Sequence, residues 1–191
     1  MTQKMLLMAI YERWNEVKVS DAAKRIGVST KSASRCFDEL EYLNIDVLGM
    51  KGKSRVINIP NDRKQVWQQI ENVLRNPVIR RFVLREDMKL EKKAGISALC
   101  EYSLLSDNVY PTYAVTKKEL KDSAVKVEKQ VSELEEIGCV VLELGYFIDF
   151  LGKGFQDPLS VVLSLTGEEQ EEERIDISIN EMLEEYVWSK D

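Results

Sequence analysis

The run Ala22-Ala23-Lys24-Arg25-Ile26-Gly27-Val28-Ser29-Thr30-Lys31-Ser32-Ala33-Ser34-Arg35-Cys36 holds two helical segments separated by one glycine. Ala23 is small enough to sit where two helices cross. Gly27, four residues on, supplies the left-handed backbone that a tight turn between helices requires. Ile26, Val28, Ala33 and Cys36 are apolar anchors that would hold the pair at a steep angle. Ser29 or Thr30 offers a hydroxyl to the orphan amides of the second helix, which is expected to run to about Leu43. Upstream, Met5, Leu6, Met8, Ile10 and Trp14 recur near helical spacing and predict a first helix over residues 2–15. Ser20 is placed as the cap of the short helix Asp21 to Ile26.

The second helix of the pair divides cleanly by face. Ala33, Cys36, Phe37, Leu40 and Leu43 make one apolar stripe, and Thr30, Lys31, Ser32, Ser34, Arg35 and Asp38 lie opposite. Short polar and basic side chains on an outward helix face suit the major groove. There Lys and Arg donate to guanine O6 and N7, and Ser and Thr serve base or phosphate. Lys31, Ser34 and Arg35 are the expected base contacts, Ser29 and Thr30 the expected phosphate contacts, and Ser32 belongs to the same face. Each of these residues taken singly is equally an ordinary solvated side chain, and a helical hairpin without a DNA role stays open.

Two strands are expected next, Ile45 to Met50 and Arg55 to Ile59, joined by the basic turn Lys51-Gly52-Lys53-Ser54. A hairpin tipped by Lys51, Lys53 and Arg55 would lie over the neighbouring backbone or the minor groove. Pro60 closes this first domain, residues 1–60. Asn61-Asp62 caps a further helix carrying Val66, Trp67, Ile70, Val73 and Leu74, and Asn76-Pro77 stops it, so residues 61–77 read as a linker helix.

Residues 78–191 read as a mixed α/β domain, which makes the whole chain α+β. Val78 to Arg85 is an expected strand whose Arg80, Arg81 and Arg85 either extend a nucleic-acid face or pair with the acidic carboxyl-terminal half. Helix is expected from Ala94 to Leu105, and Tyr110 to Val115 reads as a loop entering a short strand. Thr116-Lys117-Lys118-Glu119 matches a capping box. Val125 to Ile137 is ambiguous between strand and helix, and Cys139 to Ile148 is strand. Asp157-Pro158 starts a helix over Leu159 to Leu165. Glu168 to Glu173 is either a loop or the first turn of a last helix, which presents Ile175, Ile179, Met182, Leu183, Tyr186 and Val187.

The net charge of -6 conceals a contrast between halves. Residues 1–93 carry 19 Lys and Arg against 12 Asp and Glu, and residues 94–191 carry 8 against 21. One end of the chain is thus suited to a polyanion and the other would repel it. The sequence has no histidine, which excludes Ser-His and Cys-His nucleophilic machinery and most zinc sites. Cys36, Cys100 and Cys139 form no CxxC pair and read as small buried hydrophobes. Asp149, Asp157 and Glu143 could be imagined around magnesium, but no DxD or ExxE spacing unites them. No catalytic residue, metal site or cofactor is therefore expected. No apolar run approaches the roughly 18 residues of a membrane span, and Met5–Ile10 is too short for a signal peptide. The expected location is the cytoplasm.

The order helix–helix–helix–strand–strand resembles the winged helix-turn-helix of bacterial transcription regulators over about a third of the chain. Leu99-Cys100-Glu101-Tyr102-Ser103-Leu104-Leu105, Tyr110 to Val115, and Asp157-Pro158-Leu159-Ser160 through Glu181-Met182-Leu183 to Trp188 extend the resemblance loosely. With them the chain is similar to MarR-like regulators or to winged-helix antitoxins of abortive-infection toxin–antitoxin pairs. The resemblance implies a sequence-specific repressor of its own promoter that binds double-stranded DNA, acts as a homodimer, and opposes a toxin in the antitoxin case. It departs from a MarR dimer, whose winged helix lies between long terminal helices. Here the first helix is short and most of the extra chain follows the hairpin. The other expectation is a module whose main role is to bind a partner protein, or a second copy, through residues 78–191.

Overall fold

Apolar periodicity near the amino terminus produces α1 (Thr2–Tyr11), which buries Met5, Leu6, Leu7, Ala9 and Ile10. It stops short of the expected Asn15 because Arg13 adopts a left-handed φ of 49°. Trp14 is still buried, with its backbone N–H bonded to the Ala9 carbonyl at 3.0 Å. The computed structural model describes residues 1–122 and 137–189. It is an α+β chain that divides into two compact units, Met1–Arg75 and Asn76–Asp191.

In the first unit a two-residue strand that sequence periodicity does not reveal, β1 (Val17–Lys18), runs directly into α2 (Val19–Ile26). Strand pairing thus sets the start of α2 two residues earlier than expected. Lys18 occupies the cap position without a side-chain bond, and Ser20 lies inside the helix, correcting its assignment as the cap. Gly27 ends α2, and α3 (Thr30–Tyr42) follows, burying Ala33, Cys36, Phe37 and Leu40. Then come β2 (Leu48–Lys51) and β3 (Ser54–Ile57), antiparallel, with Lys51 opposite Ser54 across the turn at Gly52. Both strands are shorter than expected. The sheet order is β1-β3-β2.

The helix read as a linker is part of this unit. Asp62 accepts the Gln65 N–H at 3.0 Å and starts α4 (Arg63–Ile70), which buries Val66, Trp67 and Ile70. A 3₁₀ turn, Glu71–Val73, ends it and leaves Val73 exposed. Gln3 on α1 donates to the Arg75 carbonyl at 2.8 Å and accepts the Arg75 N–H at 2.9 Å, so the segment after α4 is tied to the first helix.

The second unit is built on a mixed sheet. Its central strand β6 (Cys139–Leu144) is buried at all six positions. It pairs antiparallel with β4 (Val78–Leu84) and parallel with β5 (Thr112–Thr116). A strand apolar on both faces is what a sheet covered on both sides needs. Leu84, Tyr113, Val115, Cys139 and Val141 cluster together, as do Ala94, Ala114, Val140, Leu142 and Leu144. Glu143 is the buried acid of β6, paired with Arg80 of β4, while Arg81 lies 3.9 Å from Glu169. These arginines therefore meet acidic residues of the carboxyl-terminal half.

Helices α5 (Gly95–Tyr102), α7 (Pro158–Ser164) and α9 (Glu173–Leu183) pack against one another. The Thr116 capping box forms at α6 (Lys117–Asp122), with Thr116 N–H bonded to Glu119 at 2.8 Å. Thr166 and Glu169 form a second box, so α8 (Gly167–Gln170) takes the first half of the stretch Glu168 to Glu173, and Glu173 begins α9. A π-helical turn, Glu184–Trp188, follows α9. The ambiguous segment from Val125 lies, up to Glu136, outside the described residues. Among the described residues no helix is long and apolar enough to cross a membrane.

Candidate nucleic-acid interface

Gly27 turns the chain between α2 and α3 at φ 70° and ψ 40°. Nothing lies within 4 Å of the place a Cβ would take, so its requirement is conformational rather than steric. Ser29 then caps α3: its Oγ accepts the Ser32 N–H at 3.2 Å and lies 2.9 Å from the Ser32 hydroxyl. The Ser29 hydroxyl, expected at a phosphate, thus starts the helix, and the Ser32 hydroxyl is engaged with it.

The remaining expected residues divide into two groups. Thr30, Lys31 and Arg35 on α3 and Lys53 at the hairpin tip are exposed. Among the described residues, Lys31, Arg35 and Lys53 have no ion-pair partner. Lys31 and Arg35 are four residues apart and share one helix face. Ser34, Lys51 and Arg55 are engaged. Lys51 pairs with Glu16. Arg55 donates to Asp38 at 2.6 Å, to Glu41 at 3.4 Å and to Ser34 Oγ at 3.1 Å. Its guanidinium carbon also stands 5.8 Å from the Phe37 ring centre.

Sequence reasoning missed this second group because its partners lie 14 to 35 residues away. It also missed a change along α3. The exposed face is basic in its first half, whereas Asp38, Glu39 and Glu41 follow. Arg55 and the Thr2 hydroxyl bind these three carboxylates. Elsewhere in this unit, Arg25 pairs with Glu12 at 2.8 Å and lies over Trp14. Residues 1–75 hold 13 Lys and Arg against 9 Asp and Glu, a net of +4, and residues 76–191 hold 14 against 24, a net of -10.

The second unit offers different chemistry. An open cleft of about 690 Å³ is lined by Glu101, Glu181, Glu184, Glu185, Tyr102 and Tyr186. The two tyrosine rings meet edge-on at 5.1 Å. Burial raises both phenols above their ordinary value, so they are neutral at physiological pH. Leu104 beside them is almost fully exposed. Cys36 and Cys139 are buried, but Cys100 is only half-buried, which corrects its reading as a fully interior residue. Burial, then Asp107 and Glu101, pushes the Cys100 thiol up to about 11, so little nucleophilic thiolate forms at neutral pH.

Among the described residues no group of three or more His, Cys, Asp or Glu stands where it could hold a metal ion. Of the three acids considered for magnesium, Glu143 binds Arg80 and Asp157 caps α7 by accepting the Ser160 N–H at 3.0 Å. No protein-family model, no curated protein and no solved structure matches this chain.

Proposed function

We propose that the first unit is a winged helix-turn-helix that binds double-stranded DNA in a sequence-specific way. In this reading α3 enters the major groove, the β2–β3 hairpin is the wing, and the chain is a transcriptional regulator, most simply a repressor. Lys31 and Arg35 read base edges, and Thr30 and Lys53 contact the backbone. The protein acts in the cytoplasm as a homodimer, without catalysis or a cofactor.

The observation that carries the reading is the pair Lys31 and Arg35. Two exposed cations without ion-pair partners among the described residues sit one turn apart on α3. The opposite face of the helix is fixed to the core by Ala33, Cys36, Phe37 and Leu40. Exposed cations near the start of such a helix match the geometry in which the amino-terminal residues of a recognition helix reach base edges.

The test is equilibrium binding to the DNA upstream of the protein's own gene. Arg35→Ala should cost about 1–3 kcal/mol and relax discrimination at one base pair. Lys53→Ala should weaken all sequences alike and reduce the slope of log affinity against log salt by about 1. Equal loss on specific and unrelated duplexes for Arg35→Ala, or a loss confined to the specific duplex for Lys53→Ala, would contradict these roles.

The second unit favours another reading for itself. A cleft with four glutamates and two neutral tyrosines suits a basic segment of a partner protein, through ion pairs and cation–π contacts. This is the antitoxin-like or partner-binding alternative. Capture of a cationic partner that depends on Glu181 and Glu184, by a chain inert on DNA, would favour it over the regulator.

A further inference from the structure

Arg55, on β3 of the hairpin, has a side chain that meets four residues of α3 at once. Ser34, Phe37, Asp38 and Glu41 follow the spacing of a single helix face, and the guanidinium touches each. It is 30% exposed, against 60% and 69% for the two carboxylates it holds. A planar fork with five donors can serve three oxygens and stack on a ring together, which an ammonium on a flexible stem cannot. Met50 pairs with Arg55 across the hairpin, so a restraint on Arg55 is a restraint on β2 as well.

We propose that Arg55 is a positioning residue for DNA recognition: it fixes the hairpin against α3 and does not itself contact the nucleic acid. The inference rests on the DNA-binding reading above. Its alternative is that Arg55 leaves Asp38 and Glu41 to contact a phosphate when DNA arrives. The two roles respond in opposite directions to one double substitution. Asp38→Asn with Glu41→Gln removes two negative charges beside a polyanion. If Arg55 is a phosphate contact, this frees it and tightens binding. If Arg55 positions the hairpin, binding weakens despite the more favourable charge.

The experiment uses the full chain and a duplex from upstream of its own gene, with a scrambled duplex of the same composition as control. For the Asp38→Asn/Glu41→Gln protein the expected result is at least about a fivefold loss, the lower end of what one misplaced base contact costs. Arg55→Lys should weaken binding similarly, since the charge is kept but the fork is lost. Without DNA, amide hydrogen exchange over residues 48–57 should quicken in both variants while α1 stays protected. Tighter binding by the double variant, or wild-type affinity for Arg55→Lys, would overturn the inference alone. No preference of the unaltered protein for its own duplex would instead overturn the reading beneath it.

Discussion

Gly27 and the Arg55 clamp act at opposite ends of α3, one by backbone freedom and one by a side-chain fork. With φ at 70° and open space around the missing Cβ, Gly27→Val should lose about 1–2 kcal/mol from left-handed strain alone. Gly27→Asn should lose less, because Asn tolerates that region; denaturant midpoints of the two variants check this. In the second unit, Asp87 is held below its ordinary 3.8 by the Lys89 N–H and the Tyr113 hydroxyl, each at 2.9 Å. Burial alone would raise Glu119, but its bonds to Lys92 and Thr116 outweigh that and hold it below 4.5. Both folded pKa values are depressed, so the unfolded chain takes up protons first as pH falls. The stability these groups give is present above 4.5 and is lost as pH drops through their folded values. Asp87→Asn should therefore lower stability at neutral pH and flatten the acid limb of a stability-against-pH curve. An acid limb as steep as wild type would count against the linkage.

Elements whose ends carry local chemistry were legible in the sequence. The Ser29, Asp62, Asp157 and Thr116 caps fall where hydroxyl or carboxylate residues precede an apolar period, and each forms. The Thr166 box had the same Thr-x-x-Glu spacing but was hidden within an acidic run. What was not legible depends on distant partners. β1 is two residues long and exists because Val17 and Lys18 meet Ile57 and Val56. The end of α1 depends on Arg13 turning left-handed, which no periodicity announces. The same limit governs the candidate site: exposure of Lys31 and Arg35 follows from the helix period, whereas the engagement of Arg55 and Lys51 requires the hairpin folded onto its partners. Asp157→Ala, which removes a buried cap, should destabilise the second unit by about 1 kcal/mol, and Asp157→Ser by less. Thermal unfolding reads this difference; equal losses would mean the cap contributes little.

Across the whole molecule, charge and topology divide at the same place. The unit with the four-helix, three-strand arrangement carries +4 and the unit with the mixed sheet carries -10. A polyanion would find its attraction in the first and repulsion from the second. This makes α3 the natural place to test the account. The most direct measurement is affinity of the full chain for duplex DNA from upstream of its own gene, against a scrambled duplex, across a salt series. With α3 as the reading helix, the native sequence is preferred by roughly 10³ or more, affinity falls steeply with salt, and the preference is lost in Lys31→Glu/Arg35→Glu. Absence of binding at low ionic strength, or unchanged preference in that double variant, would contradict that role.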